Sequence, residues 1–190
     1  MKKRLISCLI ICVAVFLSAR GIDAAGKIPD RNDVFPEINL PEPAKTYEKD
    51  YLGIPEKGSF LLSHIKADIV IVEIFSMYCP YCQKDAPGVN ELFRMISENP
   101  DIKEKIKIIG IGAGNTPFEV DVFRKQYDIR FPLFPDESFS IHKAVGEVRT
   151  PYFFVIRMNP GGSSKVVYSR VGSIGEPDEF LQSIIRESGL

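Results

Sequence analysis

A chain of 190 residues, 45% of them hydrophobic, can bury one core of ordinary size, and 14 glycines and 14 prolines without periodicity exclude a collagen-like or repeat architecture. Its formal charge of −1, from 24 basic and 25 acidic residues, argues against nucleic acid as a partner.

Lys2, Lys3 and Arg4 precede an uncharged apolar run over 5–17, with small residues at Ser18 and Ala19. This is the pattern of a secretory signal occupying 1–24, cleaved after Ala19 or near Ala24 and Ala25. The run is shorter than the roughly 20 residues that span a bilayer, which favours cleavage, with an uncleaved membrane tether as the alternative. Leu5-Ile6-Ser7-Cys8 has a superficial likeness to a lipoprotein acylation site but comes before the apolar run is complete. Losing 1–24 removes Cys8 and Cys12 and leaves Cys79 and Cys82, so the mature domain must be held by packing. Four of the 24 basic and one of the 25 acidic residues go with it, leaving 20 and 24, a charge of −4. An exported dithiol must find its electrons or oxidant outside the cytosol, from other proteins.

From 25 to 57 the prolines Pro29, Pro36, Pro41, Pro43 and Pro55, set among charges, favour extended segments and turns over helix, and predict a linker plus an edge hairpin. Residues 58–190 form the domain proper. Asp68 to Phe75 is too continuously apolar and β-branched for a one-sided sheet and predicts a central strand covered on both faces. After Cys82, Val89, Leu92, Phe93 and Ile96 recur at helical spacing, with the helix finishing before Pro100 and Pro87 kinking it. A second strand is expected over Ile106 to Ile111. Thr116-Pro117-Phe118-Glu119 then opens a helix with a capping box, its apolar face formed by Val120, Phe123 and Tyr127. A short strand near Phe131 to Phe134, a helix from about Ser138 to Val145 ended by Gly146, and two strands, Tyr152 to Arg157 and Lys165 to Val171, follow. The turn between those strands is expected at Asn159-Pro160-Gly161-Gly162, and Phe180, Leu181, Ile184 and Ile185 mark a closing helix.

Cys79-Pro80-Tyr81-Cys82 stands between the central strand and its helix. Two thiols in a first helical turn can close a disulfide with little strain and open it again, which makes the pair a redox switch. Only a thiolate attacks a disulfide, and a free thiol has a pKa of about 8.5. At a helix N-terminus, unpaired N–H groups and the dipole favour the anion, so Cys79 is the expected nucleophile. Cys82, one turn inward, is the expected resolving thiol. A zinc site would need about two further ligands, and His64 and His142 are isolated in sequence. Glu73 is the only charge within 69–75; if buried, it is neutral or paired and poised to exchange protons, and if at a strand end, it is solvated.

Strand, helix, strand, helix, strand, helix, hairpin, helix describes an α/β protein with a central mixed sheet flanked by helices. With Cys79-Pro80-Tyr81-Cys82 it resembles a thioredoxin fold. The 72 positions from Cys79 to Pro151 leave room for an extra strand-and-helix insertion, and that length, the export signal and the N-terminal extension resemble the periplasmic TlpA/ResA group of thiol-disulfide oxidoreductases over about Phe35 to Leu190. The resemblance implies that Glu73 takes or gives the proton of Cys82. It also implies that Thr150-Pro151 is the cis-proline loop facing the cysteines, Thr150 offering its backbone to an extended substrate and Pro151 holding the geometry. An ordinary trans proline opening a strand is the competing reading. Pro87 matches the family's helix-kinking proline. Tyr78 stands where the pattern has tryptophan, and Pro80-Tyr81 is the dipeptide familiar from glutaredoxins. Met77, Tyr78 and Tyr81 are candidates for an apolar rim against substrate.

Gly110-Ile111-Gly112-Ala113-Gly114 has the wrong spacing for a nucleotide loop and reads as a strand end where backbones approach closely. His142 is expected on a helix face, and the charges between Glu98 and Lys105 in a solvated turn. The function these readings converge on is an exported, extracytoplasmic oxidoreductase, without cofactor or metal, soluble after cleavage or tethered. It would exchange disulfides with other exported proteins as a monomer and draw on a membrane electron donor or oxidant. By the resemblance, one such job is to keep the haem-attachment cysteines of apocytochromes c reduced. Two alternatives stand beside it. Ser76-Met77-Tyr78-Cys79 faintly resembles the peroxiredoxin Thr-x-x-Cys element, with Val72 where a proline is expected upstream, which would make a thiol peroxidase. Both thiols with a histidine would make a copper-binding metallochaperone.

Overall fold

The computed structural model describes residues 26–54, 57–159, 161 and 163–190. The expected signal segment with Cys8 and Cys12, Pro55, and Pro160 and Gly162 of the expected turn lie outside the described residues. The elements in chain order are β1 (Asn39–Leu40), α1 (Thr46–Leu52), β2 (Phe60–Leu61), β3 (Ile69–Phe75), α2 (Pro80–Glu98), β4 (Ile106–Ala113), α3 (Pro117–Gln126), β5 (Leu133–Asp136), α4 (Ser140–Ala144), β6 (Tyr152–Arg157), β7 (Lys165–Val171) and α5 (Pro177–Ser188).

The sheet runs β5-β4-β3-β6-β7, with β3 parallel to β4 and antiparallel to β6. Every residue of β3 and β4 is buried, which is why both read as apolar runs, each interrupted by a single charge, Glu73 and Lys107. Side chains alternate across a strand, and the sheet separates two cores accordingly. Ile69, Ile71 and Phe75 face a layer containing Val89 and Leu92 of α2, Val120 and Phe123 of α3, and Phe180 and Ile184 of α5. Val70, Val72 and Ile74 face the other, with Leu52 of α1, Ile141 of α4 and Phe154 of β6.

The N-terminal segment corrects the expectation in two ways. A helix, α1, occurs where extended chain was expected, in the one stretch between Pro43 and Pro55 free of proline, and it ends on Gly53 at φ 62. The antiparallel pair β1–β2 forms its own small sheet, while the edge of the main sheet is extended by residues 32–35, which exchange backbone hydrogen bonds with Ser164 and Val166. The segment is built into the domain: Phe35, Ile38, Leu40 and Leu52 are buried, and Glu48 pairs with Arg124 of α3 at 2.9 Å inside the protein. The Tyr51 hydroxyl accepts from the Ile108 N–H at 2.7 Å, on the stretch of β4 that precedes its pairing with β5 at Gly110.

Two boundaries also move. β5 starts at Leu133, two residues later than expected, and α4 starts at Ser140 because the Asp136 carboxylate at the strand end accepts from the Ile141 and His142 N–H groups at 3.1 and 2.8 Å. The glycine-rich end of β4 lies against side chains where a close approach of backbones was expected: a Cβ on Gly110 would strike the Leu133 side chain, and Gly114, at φ 66, lies under the Phe139 ring.

Candidate active site

The central strand β3 delivers Ser76, Met77 and Tyr78 into a turn, closed by the Cys79 N–H donating to Ser76 O at 3.0 Å, and α2 begins at once with Cys79 as its N-cap. Pro80 suits the first helical position, where an N–H would have no partner in the helix. Two amides brace this turn. Asn115, wholly buried after β4, accepts from the Met77 N–H at 2.9 Å, and the Gln83 side chain donates to Met77 O at 2.8 Å.

The Cys79 sulfur, half-buried, donates to the Thr150 backbone oxygen at 3.3 Å. The Thr150–Pro151 bond is cis, and Pro151 O accepts from the Gly172 N–H at 2.8 Å. Cys82, one turn into α2, is fully buried. Both thiols are free. Partial burial works against ionisation of Cys79, but hydrogen bonds with the Thr150 side chain, with the backbone and thiol of Cys82 and with the Tyr81 backbone outweigh it and hold the thiol below its usual value. Burial pushes the Cys82 thiol far up, with Glu73 and Cys79 adding to the push. The two sulfurs of one motif are thus set apart, one toward thiolate and one toward thiol.

Glu73 is 3% exposed and lies between Gly110 of β4 and Phe153 of β6. It belongs to the odd-numbered series of β3 that faces the layer holding Cys82. Burial first, then the charges of Asp85 and Cys79, raise its carboxyl to about 8. Asp85 is one turn beyond Cys82 on α2, buried, and accepts from the Ser173 hydroxyl and from the Ile174 N–H at 3.2 Å, which fastens the loop after β7 to α2.

A groove of about 550 Å³ runs between the Tyr81–Asp85 turn of α2 and the Thr150–Pro151 loop, lined by Tyr81, Lys84, Asp85, Arg149, Thr150 and Val171 among others. On the far side of Thr150 a second depression is lined by Tyr78, Phe139, His142 and Arg149. A larger cavity, about 650 Å³ at Asn39, Pro117 and Asp136, includes neither Thr150 nor a residue of the Cys79–Cys82 turn in its wall. Tyr78 and Tyr81 both face solvent, at 66% and 73% exposure, and the Tyr78 hydroxyl bonds to Glu119. His142 is half-buried and bonds through Nε2 to Val148 O at 2.8 Å, tying α4 to the loop that carries Thr150.

Cys79, Cys82, Thr150 and Pro151 therefore meet at one place, with Glu73 beneath and the two tyrosines around them. Sequence reasoning passed over Asn115, Asp85, Arg149 and Lys84. Asn115 had one local signal, the Gly114-Asn115-Thr116-Pro117 string between a strand and a capping box. Asp85 had another, its place one turn after Cys82 on a face that is otherwise apolar.

Residues 32–161 match the AhpC/TSA family. A protein of Bacillus thuringiensis named thiol-disulfide oxidoreductase ResA is 34% identical over 96 residues, 50% of this chain and 52% of the relative; the chain thus spans about half the length of the curated relatives it matches. Among solved structures, a putative thiol:disulfide interchange protein DsbE from Chlorobium tepidum superposes with a TM-score of 0.61 at 18% identity, covering 84% of this chain and 98% of that one. A peroxidoxin, BcpB, from Mycobacterium tuberculosis superposes with a TM-score of 0.58 at 16% identity, covering 85% and 97%. The fold these structures share with the chain is thioredoxin-like.

Proposed function

The chain belongs to the AhpC/TSA family, and on that premise we propose that it is an extracytoplasmic thiol-disulfide oxidoreductase working on disulfides of other exported proteins through Cys79 and Cys82. The observation that carries the reading is the pairing of a half-exposed, acidified Cys79 at a helix N-terminus with a buried, protonated Cys82 one turn behind it. The names of the curated relatives support it.

In the reducing direction the Cys79 thiolate attacks one sulfur of a partner disulfide. A new S–S bond forms as the partner's bond breaks, and the departing thiolate takes up a proton. Cys82 then gives up its proton and attacks Cys79, which releases the second partner thiol and leaves the Cys79–Cys82 disulfide. Two electrons have passed to the partner. In the opposite direction each bond change reverses, and Cys82, leaving as a thiolate, needs a proton. Glu73, a buried carboxyl that changes state near pH 8, is the group to supply it. Thr150, its carbonyl at the Cys79 sulfur, would hold an extended partner segment along the groove, with Pro151 fixing the loop. Return to the dithiol requires a membrane protein that supplies electrons, and return to the disulfide one that removes them. Reduction of apocytochrome c cysteines is the job the resemblance to the TlpA/ResA group suggests.

The test sets disulfide against peroxide. The reduced protein is expected to reduce insulin disulfides catalytically and to consume hydrogen peroxide no faster than a free thiol. Catalytic peroxide turnover with insulin left intact would overturn the reading in favour of a peroxidase.

A further inference from the structure

Resting on the exchange reading above, we propose that the groove beside Cys79 selects partner segments carrying a carboxylate side chain close to the reactive cysteine, through Arg149 and Lys84. Both residues are exposed, both line the groove, and among the described residues neither side chain has a hydrogen bond or an ion pair. Arg149 directly precedes Thr150, whose carbonyl lies 3.3 Å from the nucleophilic sulfur, so a residue adjoining the partner's cysteine passes within reach of the guanidinium. Arg149 also borders the second depression, on the other side of Thr150. Lys84 follows Cys82 by two positions and lines the same groove from α2, a different element.

The one acid in the groove lining does not cancel them. Asp85 is buried, and its oxygens are taken by Ser173 and Ile174. The lining keeps a net charge of +1 in a chain whose exported part is acidic overall, so the attraction is local to the nucleophile. Guanidinium pairs with carboxylate through two parallel N–H groups, and complementary charge at a rim sets encounter rate and partner choice more than tightness. The occupant that fits is an extended, acidic polypeptide segment, with apolar neighbours resting on Tyr81 and Val171.

The probes are three synthetic peptides, identical except for Glu, Gln or Lys on both sides of a single cysteine, each supplied as its symmetric disulfide, with neutral hydroxyethyl disulfide as a fourth. The readout is the second-order rate of oxidation of the reduced protein. It is divided by the rate of the same disulfide with dithiothreitol, which removes the effect of the neighbouring charge on the peptide's own sulfur. The Glu peptide is expected to react about fivefold faster than the Lys peptide at low salt, with the gap closing in 0.5 M salt, as for a solvent-accessible charge pair. Arg149→Glu is expected to reverse the order, and Lys84→Glu, on a different element, to do the same to a smaller degree. Equal rates for the three peptides, or an order unchanged in both variants, would overturn the proposal while turnover of hydroxyethyl disulfide left the exchange reading standing. Failure of the wild-type dithiol with all four disulfides would overturn both.

Discussion

Cys79 and Thr150, 71 residues apart in sequence, meet at 3.3 Å, sulfur to carbonyl oxygen, because β3 and β6 are antiparallel neighbours and the C-terminal end of one lies beside the start of the other. The proposed nucleophile and the loop that would hold its partner are thereby fixed by one strand pairing. Variants at the two thiols should then behave differently. Cys79→Ala should abolish insulin reduction, and Cys82→Ala should trap partners as mixed disulfides visible on non-reducing gels. At pH 6, iodoacetamide should label Cys79 and spare Cys82, in line with one thiol held below its usual value and the other pushed far above it. Equal, slow labelling of both only above pH 8 would contradict the assignment.

Glu73 predicts how stability depends on pH. Its carboxyl sits near 8 in the folded protein against an ordinary 4.5, so between those values the unfolded chain has released a proton that the folded chain retains. Stability should therefore fall as pH rises from about 4.5 to about 8, and flatten beyond. Glu73→Gln removes that slope and should leave the protein more stable than wild type at pH 8.5, by an amount on the order of a few kcal/mol, with little difference at pH 4. Urea denaturation of both proteins at the two pH values checks it. A wild type whose stability rises over this range, with no gain from the substitution, would show Glu73 to be ionised in the fold.

Strands buried on both faces, such as β3 and β4, were legible in the sequence because burial on two sides leaves a nearly continuous apolar run, and the meeting of Cys79 and Cys82 in one helical turn was legible because their spacing alone places them there. The helix α1 was not, since proline density on either side of 46–52 hid a seven-residue stretch whose stability comes from packing Leu52 and pairing Glu48. The start of α4 differs from the expectation because the carboxylate that accepts from its first-turn N–H groups, Asp136, is contributed by the preceding strand. Asp85 and Asn115 escaped because each acts on residues far away in sequence, Asp85 on the loop at 173–174 and Asn115 on the turn at 76–77, and no local spacing encodes such contacts.

Asp85 links the loop after β7 to the electrostatics of the thiols. Asp85→Asn keeps the shape but removes the charge that, after burial, does most to raise Glu73. The Glu73 midpoint should move down from about 8, as followed by carbon NMR titration of the carboxyl in the reduced protein. Weakened acceptance from Ser173 and Ile174 should cost about 1–3 kcal/mol in denaturation. A midpoint that stays in place while stability falls would restrict Asp85 to tethering.

The Glu48–Arg124 pair is where the N-terminal segment is locked to the domain, and its energetics have a definite sign. Both groups are buried, burial pushes the Glu48 carboxyl up, and Arg124, donating also to Phe131 O at 3.0 Å, pulls it back. Removing one partner strands the other charge, so Arg124→Met should cost about 3–5 kcal/mol at pH 7. At pH 4, where Glu48 can meet the loss of its partner by holding a proton, the cost should shrink to about that of the unsatisfied Phe131 carbonyl, roughly 1–3 kcal/mol. The double variant Glu48→Leu with Arg124→Met leaves no buried charge at this contact and should recover most of the pH 7 loss. A double variant no better than Arg124→Met alone would mean that the guanidinium contributes through packing and the Phe131 bond, with the carboxylate incidental.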